Sequence, residues 1–197
     1  EFNECDDDFD GFTTFNLENL RALIIPEVSS SQHIYFFSSY NDVVYDQNAL
    51  PDTYENTIQY SQEIWVKVED VHRELLTTIR LNTLNKPKLD ADKELLYCLN
   101  LYPQTITLNA GLINTVLNES FTFEWKKDAV DLSLNQQEIE INEAGIYKVI
   151  VTNEHNCSTE RTFQVTTSEA ATITDITMIE SEVIIEVTGN GNYEFLL

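Results

Sequence analysis

An acidic run near the amino terminus is the group of residues in this chain best suited to chemistry. Asp6, Asp8, Asp10 and Gly11 occupy positions 1, 3, 5 and 6 of a D-x-D-x-D-G pattern. In such a loop, alternate carboxylates converge on one Ca²⁺ ion and glycine permits the sharp turn. Phe12 occupies position 7, which contributes a backbone carbonyl. The spacing predicts a calcium site at Asp6, Asp8, Asp10 and Phe12, and the alternative is a solvated acidic turn leading into a strand.

The acidic run does not extend into a helical EF-hand. That motif requires a bidentate acid at position 12, where this chain has Leu17, and Glu18 comes one place late. The prediction is therefore a calcium site within a single loop.

The chain carries no recognisable catalytic motif. It has no G-x-S-x-G sequence, no glycine-rich phosphate loop and no signature of a catalytic cysteine. His33, His72 and His155 are scattered, with no cysteine or carboxylate at zinc spacing. Paired carboxylates are too common in so acidic a chain to indicate a glycosidase, although a hydrolase stays an alternative. We predict a protein that is not an enzyme and has no catalytic residues.

The charge of the chain limits its partners. Among 197 residues, 11 are Lys or Arg and 34 are Asp or Glu, so the formal net charge is -23. This charge repels phosphate backbones and anionic headgroups, which argues against nucleic acid and membrane surfaces as partners. A hydrophobic content of 42% is ample for packed cores. No apolar run has the length needed to cross a bilayer, so we predict no membrane insertion.

A β-sandwich pattern occupies the second half of the chain. Phe121, Phe123 and Trp125 alternate with polar residues, the period of a half-buried strand that ends on a large aromatic. A short strand over Gln137–Ile141 comes next, and Tyr147 follows at the spacing of a tyrosine corner. These features predict an immunoglobulin-like sandwich in which Trp125 and Tyr147 are structural core residues.

The chain divides into three segments by composition and pattern. We predict a first module over residues 1–86, an immunoglobulin-like or PKD-like sandwich over 87–168, and the first strands of a third, truncated module over 169–197. The polar linker Lys86-Pro87-Lys88 separates the first two. The fold class is all-β, with tandem immunoglobulin-like β-sandwich modules.

The first module is predicted to contain short helical insertions. Apolar residues from Leu17 to Ile24 recur at helical spacing, and a second short helix is predicted over Tyr40–Ala49. Strict alternation over Glu63–Asp70 predicts a strand that forms a hairpin with Leu76–Leu84. In the third segment, alternation from Ile173 to Val187 ends in the stretch Gly189 to Phe195, and these strands would expose an apolar edge unless another segment or chain completes the sheet.

Three cysteines suggest one disulfide. Cys98 opens the second module and Cys157 follows its penultimate strand, so we predict that Cys98 and Cys157 are paired. The alternative is two buried thiols. Cys5 has no obvious partner.

Aromatic residues of the first module offer a second kind of site. Trp65, Tyr40 and Tyr45 could stack on sugar rings, although aromatics on strands more often belong to a core. A carbohydrate-binding module is therefore the alternative function, and one flat exposed strip of these rings would favour it.

Several sequence blocks resemble a known family. Four blocks of this chain resemble the repeated modules of large secreted proteins of gliding Bacteroidota: Cys5–Gly11, Thr14–Leu17, Ile64–Asp70 and Thr77–Leu81. Those proteins carry a type IX secretion, type B sorting domain. The immunoglobulin-like or PKD-like module that commonly follows is similar to the blocks around Cys98, Trp125, Tyr147 and Cys157.

The resemblance implies a function without catalysis. It implies a segment of a secreted or cell-surface protein associated with gliding motility, in which tandem sandwiches serve as spacers or adhesive modules. Its partners would be the type IX secretion machinery, through a region outside this chain, and a surface polysaccharide or another protein. In such modules the first cysteine usually pairs just before the strand at Thr77, where this chain has Arg73-Glu74-Leu75. That departure leaves Cys5 without a predicted partner.

Overall fold

The computed structural model describes residues 1–24, 32–113, 119–169, 171–180 and 182–189. Most of these residues are in β-strands, and the chain divides into two compact units, Glu1–Lys86 and Pro87–Leu197. The linker Lys86-Pro87-Lys88 contains this division.

The first unit combines short strands with two short helices. Its elements are β1 (Phe2–Asp6), β2 (Thr14–Asn16), α1 (Leu17–Ile24), β3 (His33–Phe37), α2 (Tyr40–Val44), β4 (Thr53–Glu55), β5 (Ser61–Asp70) and β6 (Arg73–Asn85). The predicted hairpin is present as β5 and β6, in which all of β5 pairs antiparallel with residues 73–82 of β6. Alternation in β5 places Gln62, Ile64 and Val66 in the interior.

Two sheets form a sandwich in the first unit. One has the strand order β1-β6-β5-β3, and the other pairs β2 with β4. β1 runs parallel to β6, whereas the other pairs are antiparallel. Buried side chains from both sheets and α1 make one core, which consists of Phe15, Leu17, Leu20, Ile34, Phe36, Tyr54, Ile64, Val66 and Leu81.

Both predicted helices are present, and the second is shorter than predicted. α1 begins after Asn16, whose side chain accepts the N–H of Asn19 at 2.9 Å and caps the helix. α2 is capped by Ser39 and ends at Val44 rather than Ala49. It ends there because Asp46 and Asn48 have φ values of 48° and 56°, which a right-handed helix cannot contain.

The second unit begins with a larger sandwich. Its strands are β7 (Lys93–Cys98), β8 (Ile106–Asn109), β9 (Phe121–Lys127), β10 (Val130–Asp131), β11 (Glu138–Ile141), β12 (Gly145–Asn153) and β13 (Ser158–Ser168). One sheet has the order β10-β9-β12-β13-β7, and the other pairs β8 with β11. The buried core between them consists of Tyr97, Leu108, Ala110, Trp125, Ile139, Ile141, Tyr147, Val149, Val151, Phe163 and Val165.

The two sandwiches share one plan of strand pairing. In each unit the first strand is parallel to the last strand of the sandwich, as β1 is to β6 and β7 is to β13. In each unit the second strand pairs with the strand that precedes the final hairpin, as β2 does with β4 and β8 does with β11. This separation of strands between two sheets is that of immunoglobulin-like sandwiches. The chain is therefore an all-β, tandem immunoglobulin-like fold.

A separate two-stranded ribbon follows the second sandwich. It consists of β14 (Thr172–Ile179) and β15 (Glu182–Thr188), which pair antiparallel with one irregularity between Ile173 and Asp175. This ribbon occupies the segment predicted as the beginning of a third module. Of the predicted stretch Gly189 to Phe195, residues 190–195 lie outside the described part of the chain.

None of the described helices has the length and apolar character that crossing a membrane requires.

Candidate metal centre and disulfide

The acidic run forms a tight loop at the end of β1. Asp6 is the last residue of that strand and is completely buried. Its carboxylate accepts three backbone N–H groups, from Asp8 at 3.0 Å, Phe9 at 2.8 Å and Gly11 at 2.8 Å. A carboxylate that satisfies three N–H groups fixes the path of the loop.

Gly11 is the position where this loop requires glycine. Its φ of +83° lies in the left-handed region, and a Cβ atom there would come within 2.9 Å of the Tyr60 ring. The Gly11 carbonyl accepts the N–H of Tyr60 at 2.9 Å and the side-chain amide of Asn56 at 2.9 Å. The acidic loop is thus packed against the turn between β4 and β5.

Three carboxylates of the loop converge. Oxygen atoms of Asp6, Asp8 and Asp10 lie within 4.8 Å of one another. That span is twice a Ca²⁺–oxygen distance of about 2.4 Å, so one ion could contact all three. Asp8 and Asp10 are exposed, and further ligands of the six to eight that Ca²⁺ takes would include water.

The pKa shifts in the loop follow from this crowding. The pKa of Asp8 is raised because its carboxyl shares a hydrogen bond with that of Asp6, and burial and the charge of Asp10 act in the same direction. Burial alone would raise the pKa of Asp6, but the N–H groups of Gly11, Phe9 and Asp8 outweigh it, and the pKa is lowered. Without an ion, the loop therefore holds a proton at Asp8 more tightly than an isolated aspartate does.

Phe12 is half-buried, and its N–H donates to the Asp10 carboxylate at 2.7 Å. The role of the Phe12 carbonyl as a ligand stays a prediction. The donor set fits a calcium ion at Asp6, Asp8 and Asp10, and calcium binding stays a prediction.

The cysteines pair differently from the prediction. Cys5 and Cys157 are disulfide-bonded, and Cys98 is a free cysteine. Since the chain has three cysteines, Cys5 and Cys157 are partners. The predicted pair Cys98–Cys157 is wrong, and so is the expectation that Cys5 has no partner. The strand register gives the reason, because Cys98 lies opposite Ser168 while Cys157 lies immediately before β13, at its other end.

Trp125 and Tyr147 both lie in the core of the second sandwich. Trp125 is fully buried, stacks on Phe163 at 5.9 Å between ring centroids, and donates its indole N–H to the Gln136 carbonyl at 2.8 Å. Tyr147 Oη donates to the backbone carbonyl of Glu143 at 3.0 Å. This bond to a carbonyl a few residues upstream is the one expected of a tyrosine corner.

Trp65 and Tyr40, two of the aromatic residues predicted for sugar stacking, do not present one flat face. Trp65 is half-buried and contacts Tyr40, and the two rings are tilted by 52° at a centroid distance of 4.9 Å. Tyr45 is exposed and follows α2. A sugar ring stacks best on one exposed planar face, which this pair does not offer.

Sequence reasoning overlooked two buried polar side chains. Asn56 joins the acidic loop to the β4–β5 turn, since its amide accepts the Thr13 N–H and donates to the Gly11 carbonyl. Arg161 packs over the Phe163 ring at 4.7 Å and donates to the carbonyls of Ala91 and Asn109. For Arg161 a signal existed, because it alternates with Phe163 on the inner face of β13.

One family model matches the first unit. Residues 1–87 match the family described as "FIDD: Flavobacterium inter-domain disulphide bond domain". The matched range covers β1 to β6 and contains both Cys5 and the acidic loop. No curated protein sequence matches the chain.

Several solved structures are similar to the chain at low sequence identity. They include extracellular domains 3–5 of Drosophila OTK (14% identity, 69% of this chain, 51% of that chain, TM-score 0.39). The three N-terminal domains of the bacteriophage RB49 outer capsid protein Hoc match at 14% identity (82% of this chain, 59% of that chain, TM-score 0.40). The chain thus spans little more than half the length of these structures. Scores this low do not establish a shared fold, so the assignment depends on the strand pairing. The first unit of the chain, by its sequence, is similar to the Flavobacterium inter-domain disulphide bond domain.

Proposed function

We propose that this chain is a non-catalytic modular segment of a secreted or cell-surface protein, in which tandem sandwiches serve as a mechanically protected spacer or adhesive array. The observation that carries the proposal is the disulfide between Cys5 and Cys157, which belong to different units. Structural disulfides persist in oxidising compartments, which supports a location outside the cytoplasm. The family match of the first unit supports an origin in Bacteroidota and a disulfide that joins domains.

The position of the disulfide gives the array a mechanical property. When the chain is pulled at residues 1 and 197, the shortest covalent path runs from Cys5 directly to Cys157. Residues 6–156, which contain all of β2 to β12, lie off that path. All strands of the first sandwich except β1, and all strands of the second except β13, therefore lie off the loaded path. A spacer that is stretched between a cell and a surface needs this resistance to extension.

Single-molecule force spectroscopy tests the spacer role. In the oxidised chain, extension can come only from the residues outside the Cys5–Cys157 loop. After reduction, the roughly 150 released residues would add about 500 Å of length at 3.3–3.6 Å per residue. Equal extension with and without reductant would contradict the proposal, and Cys98→Ser is the matched control because Cys98 is outside the bond.

We propose export by the type IX machinery, through a region outside this chain, and a polysaccharide or protein on the contacted surface as the adhesive partner. Protease treatment of intact cells, with an epitope inserted in the parent protein, tests the location. If the protease cleaves the epitope only after the cells are lysed, a location on the cell surface is ruled out. In-frame deletion of residues 1–197 should reduce attachment or gliding while the remaining protein is still exported.

Carbohydrate binding by the first unit is the second candidate. The exposed side chains of Tyr40 and Tyr45 favour it, whereas the tilt between Tyr40 and Trp65 does not. Binding of the chain to polysaccharide that is lost in Tyr45→Ala and kept in Tyr102→Ala, an exposed tyrosine of the second unit, would support it.

A further inference from the structure

The two cysteines of the disulfide differ in exposure. Cys157 is buried, with 1% of its surface exposed, whereas Cys5 is half-buried. A thiolate breaks a disulfide by attacking one sulfur atom and releasing the other as a thiolate. An external thiolate therefore attacks Sγ of Cys5, and Sγ of Cys157 is the leaving group.

The sequence around Cys5 is strongly acidic. The first twenty residues contain no Lys, Arg or His. Two bases from later in the chain offset part of this charge, since Arg80 pairs with Glu1 and Lys86 pairs with Asp7. Six acids lie within residues 1–10, namely Glu1, Glu4, Asp6, Asp7, Asp8 and Asp10. Six negative charges less these two positive charges leave a net charge of about -4 around Cys5.

The sequence around the leaving sulfur is closer to neutral. Within four residues of Cys157 on either side, the chain has the acids Glu154 and Glu160, the base Arg161, and His155. The charge that an attacking group meets is therefore set mainly by the segment that contains Cys5.

This charge opposes the approach of a thiolate, which is itself negative. In water, one unit charge about 10 Å away changes the local concentration of another roughly twofold, and the factor compounds over several charges. A second negative group on the reductant doubles the repulsion. An ammonium group on the reductant cancels the charge of the thiolate and removes most of it.

We propose that the acidic segment around Cys5 makes the Cys5–Cys157 disulfide resistant to anionic thiols, so that thiols with a neutral or cationic body reduce it faster. In the first step the thiolate bonds to Cys5 Sγ, the S–S bond breaks, and its electron pair goes to Cys157 Sγ. A second thiolate then attacks the sulfur of the reductant in the mixed disulfide and releases Cys5. Two thiols are oxidised to one disulfide, and the protein disulfide is reduced to two thiols.

Reduction by three thiols of different charge tests the proposal. The chain 1–197 carries Cys98→Ser, so that only the paired cysteines exchange, and the buffer contains a chelator. The reductants are cysteamine (cationic), 2-mercaptoethanol (neutral) and 2-mercaptoethanesulfonate (anionic). Alkylation and mass spectrometry give each rate, which is divided by the rate of the same thiol with the neutral disulfide of 2-mercaptoethanol.

We expect cysteamine to react at least tenfold faster than the sulfonate at about 0.02 M ionic strength, where the Debye length is roughly 20 Å. In 1 M salt the ratio should fall below about threefold, because charges are then screened within a few ångströms. Equal normalised rates at low salt would overturn the proposal. Rates that do not depend on thiol concentration would also overturn it, since the bond would then be reduced only after unfolding.

Paired variants separate the charge around Cys5 from the net charge of the whole chain. Glu4→Gln with Asp7→Asn removes two charges beside Cys5 and no predicted calcium ligand. Asp70→Asn with Glu74→Gln removes two charges at the tip of the β5–β6 hairpin, about 33 Å along β6 from the residue opposite Cys5. We expect the ratio to fall about threefold in the first pair only, whereas equal ratios in both pairs would overturn the proposal. Neither outcome alters the extension that reduction releases under force, so this test and that of the spacer role fail separately.

Discussion

Cys98 lies directly opposite Ser168 in the parallel pair of β7 and β13. Cys157 immediately precedes the other end of β13, so about eleven residues of extended strand separate it from Ser168, roughly 35 Å at 3.3 Å per residue. A disulfide requires Cα atoms within about 7 Å. The strand direction thus excludes the pair Cys98–Cys157 and leaves Cys157 to bond Cys5.

The first prediction concerns thiol reactivity. In the denatured, non-reduced chain, Cys98 should alkylate while Cys5 and Cys157 should not, and peptide mapping should recover one linked peptide pair. Cys5→Ser should also lower the free energy of unfolding by about 4–5 kcal/mol, because the bond closes a loop longer than 100 residues. Cys98→Ser is the control, with no change in the linked pair. Free alkylation of all three cysteines would contradict the structure.

A second prediction concerns the corner hydrogen bond. Tyr147→Phe removes the bond from Tyr147 Oη to the Glu143 carbonyl and should destabilise the second unit by about 1–1.5 kcal/mol. Tyr102→Phe, at a tyrosine that is 67% exposed, should change the free energy of unfolding by less than about 0.5 kcal/mol. Chemical denaturation followed by tryptophan fluorescence measures both changes. Equal effects of the two variants would show that the hydrogen bond of Tyr147 does not add to the free energy of unfolding.

The buried carboxylate of Asp6 should be the most sensitive position of the acidic loop. Asp6→Asn leaves one acceptor oxygen for three N–H groups and turns an amide donor toward at least one of them. We expect a loss of about 2–3 kcal/mol in the stability of the first unit. Asp7→Asn is the matched control, because Asp7 is largely exposed and contacts only Lys86 among the described ion pairs. If Asp6→Asn melts at the temperature of Asp7→Asn, the loop does not depend on the Asp6 bonds.

Calcium should stabilise the first unit. An ion held by Asp6, Asp8 and Asp10 would remove the repulsion within the loop and raise stability by about 2.7 kcal/mol at a hundred times its dissociation constant. Affinities of extracellular sites are often only about 0.1–1 mM, so the titration must reach several millimolar. Asp10→Asn should lower the effect, whereas Asp52→Asn, an exposed acid outside the loop, should not. Identical melting of the wild type with and without calcium, together with no heat in calorimetry, would leave the solvated acidic turn as the correct interpretation.

The pKa shift of Asp8 predicts how calcium affinity depends on pH. The folded, ion-free loop raises the pKa of Asp8, so its proton is held to a higher pH than in an isolated aspartate. Calcium must displace that proton, and its affinity should fall as the pH decreases from neutral toward this raised pKa. Above that range the affinity should be constant. Isothermal titration at several pH values measures it, and Asp8→Asn should flatten the profile; an unchanged profile in Asp8→Asn would place the titrating group elsewhere.

Features that depend on close neighbours could be predicted from the sequence. Alternation from Phe121 to Trp125 predicted β9, and the helical spacing of apolar residues from Leu17 to Ile24 predicted α1. The tandem immunoglobulin-like class followed from such local patterns. The convergence of Asp6, Asp8 and Asp10 was also predictable, because residues two apart in a short turn are near each other in any compact loop.

Features that depend on strand direction and on distant segments required the tertiary structure. The sequence by itself determined that three cysteines were present. Which two are paired depended on the tertiary structure, because the parallel register of β7 and β13 separates Cys98 from Cys157, and the partner of Cys157 is Cys5, far away in the chain. The same holds for Asn56, which bonds a loop more than 40 residues earlier. Local patterns report which face of a strand is buried. They do not report which strand lies beside it or in which direction it runs, because those depend on the packing of the whole sheet.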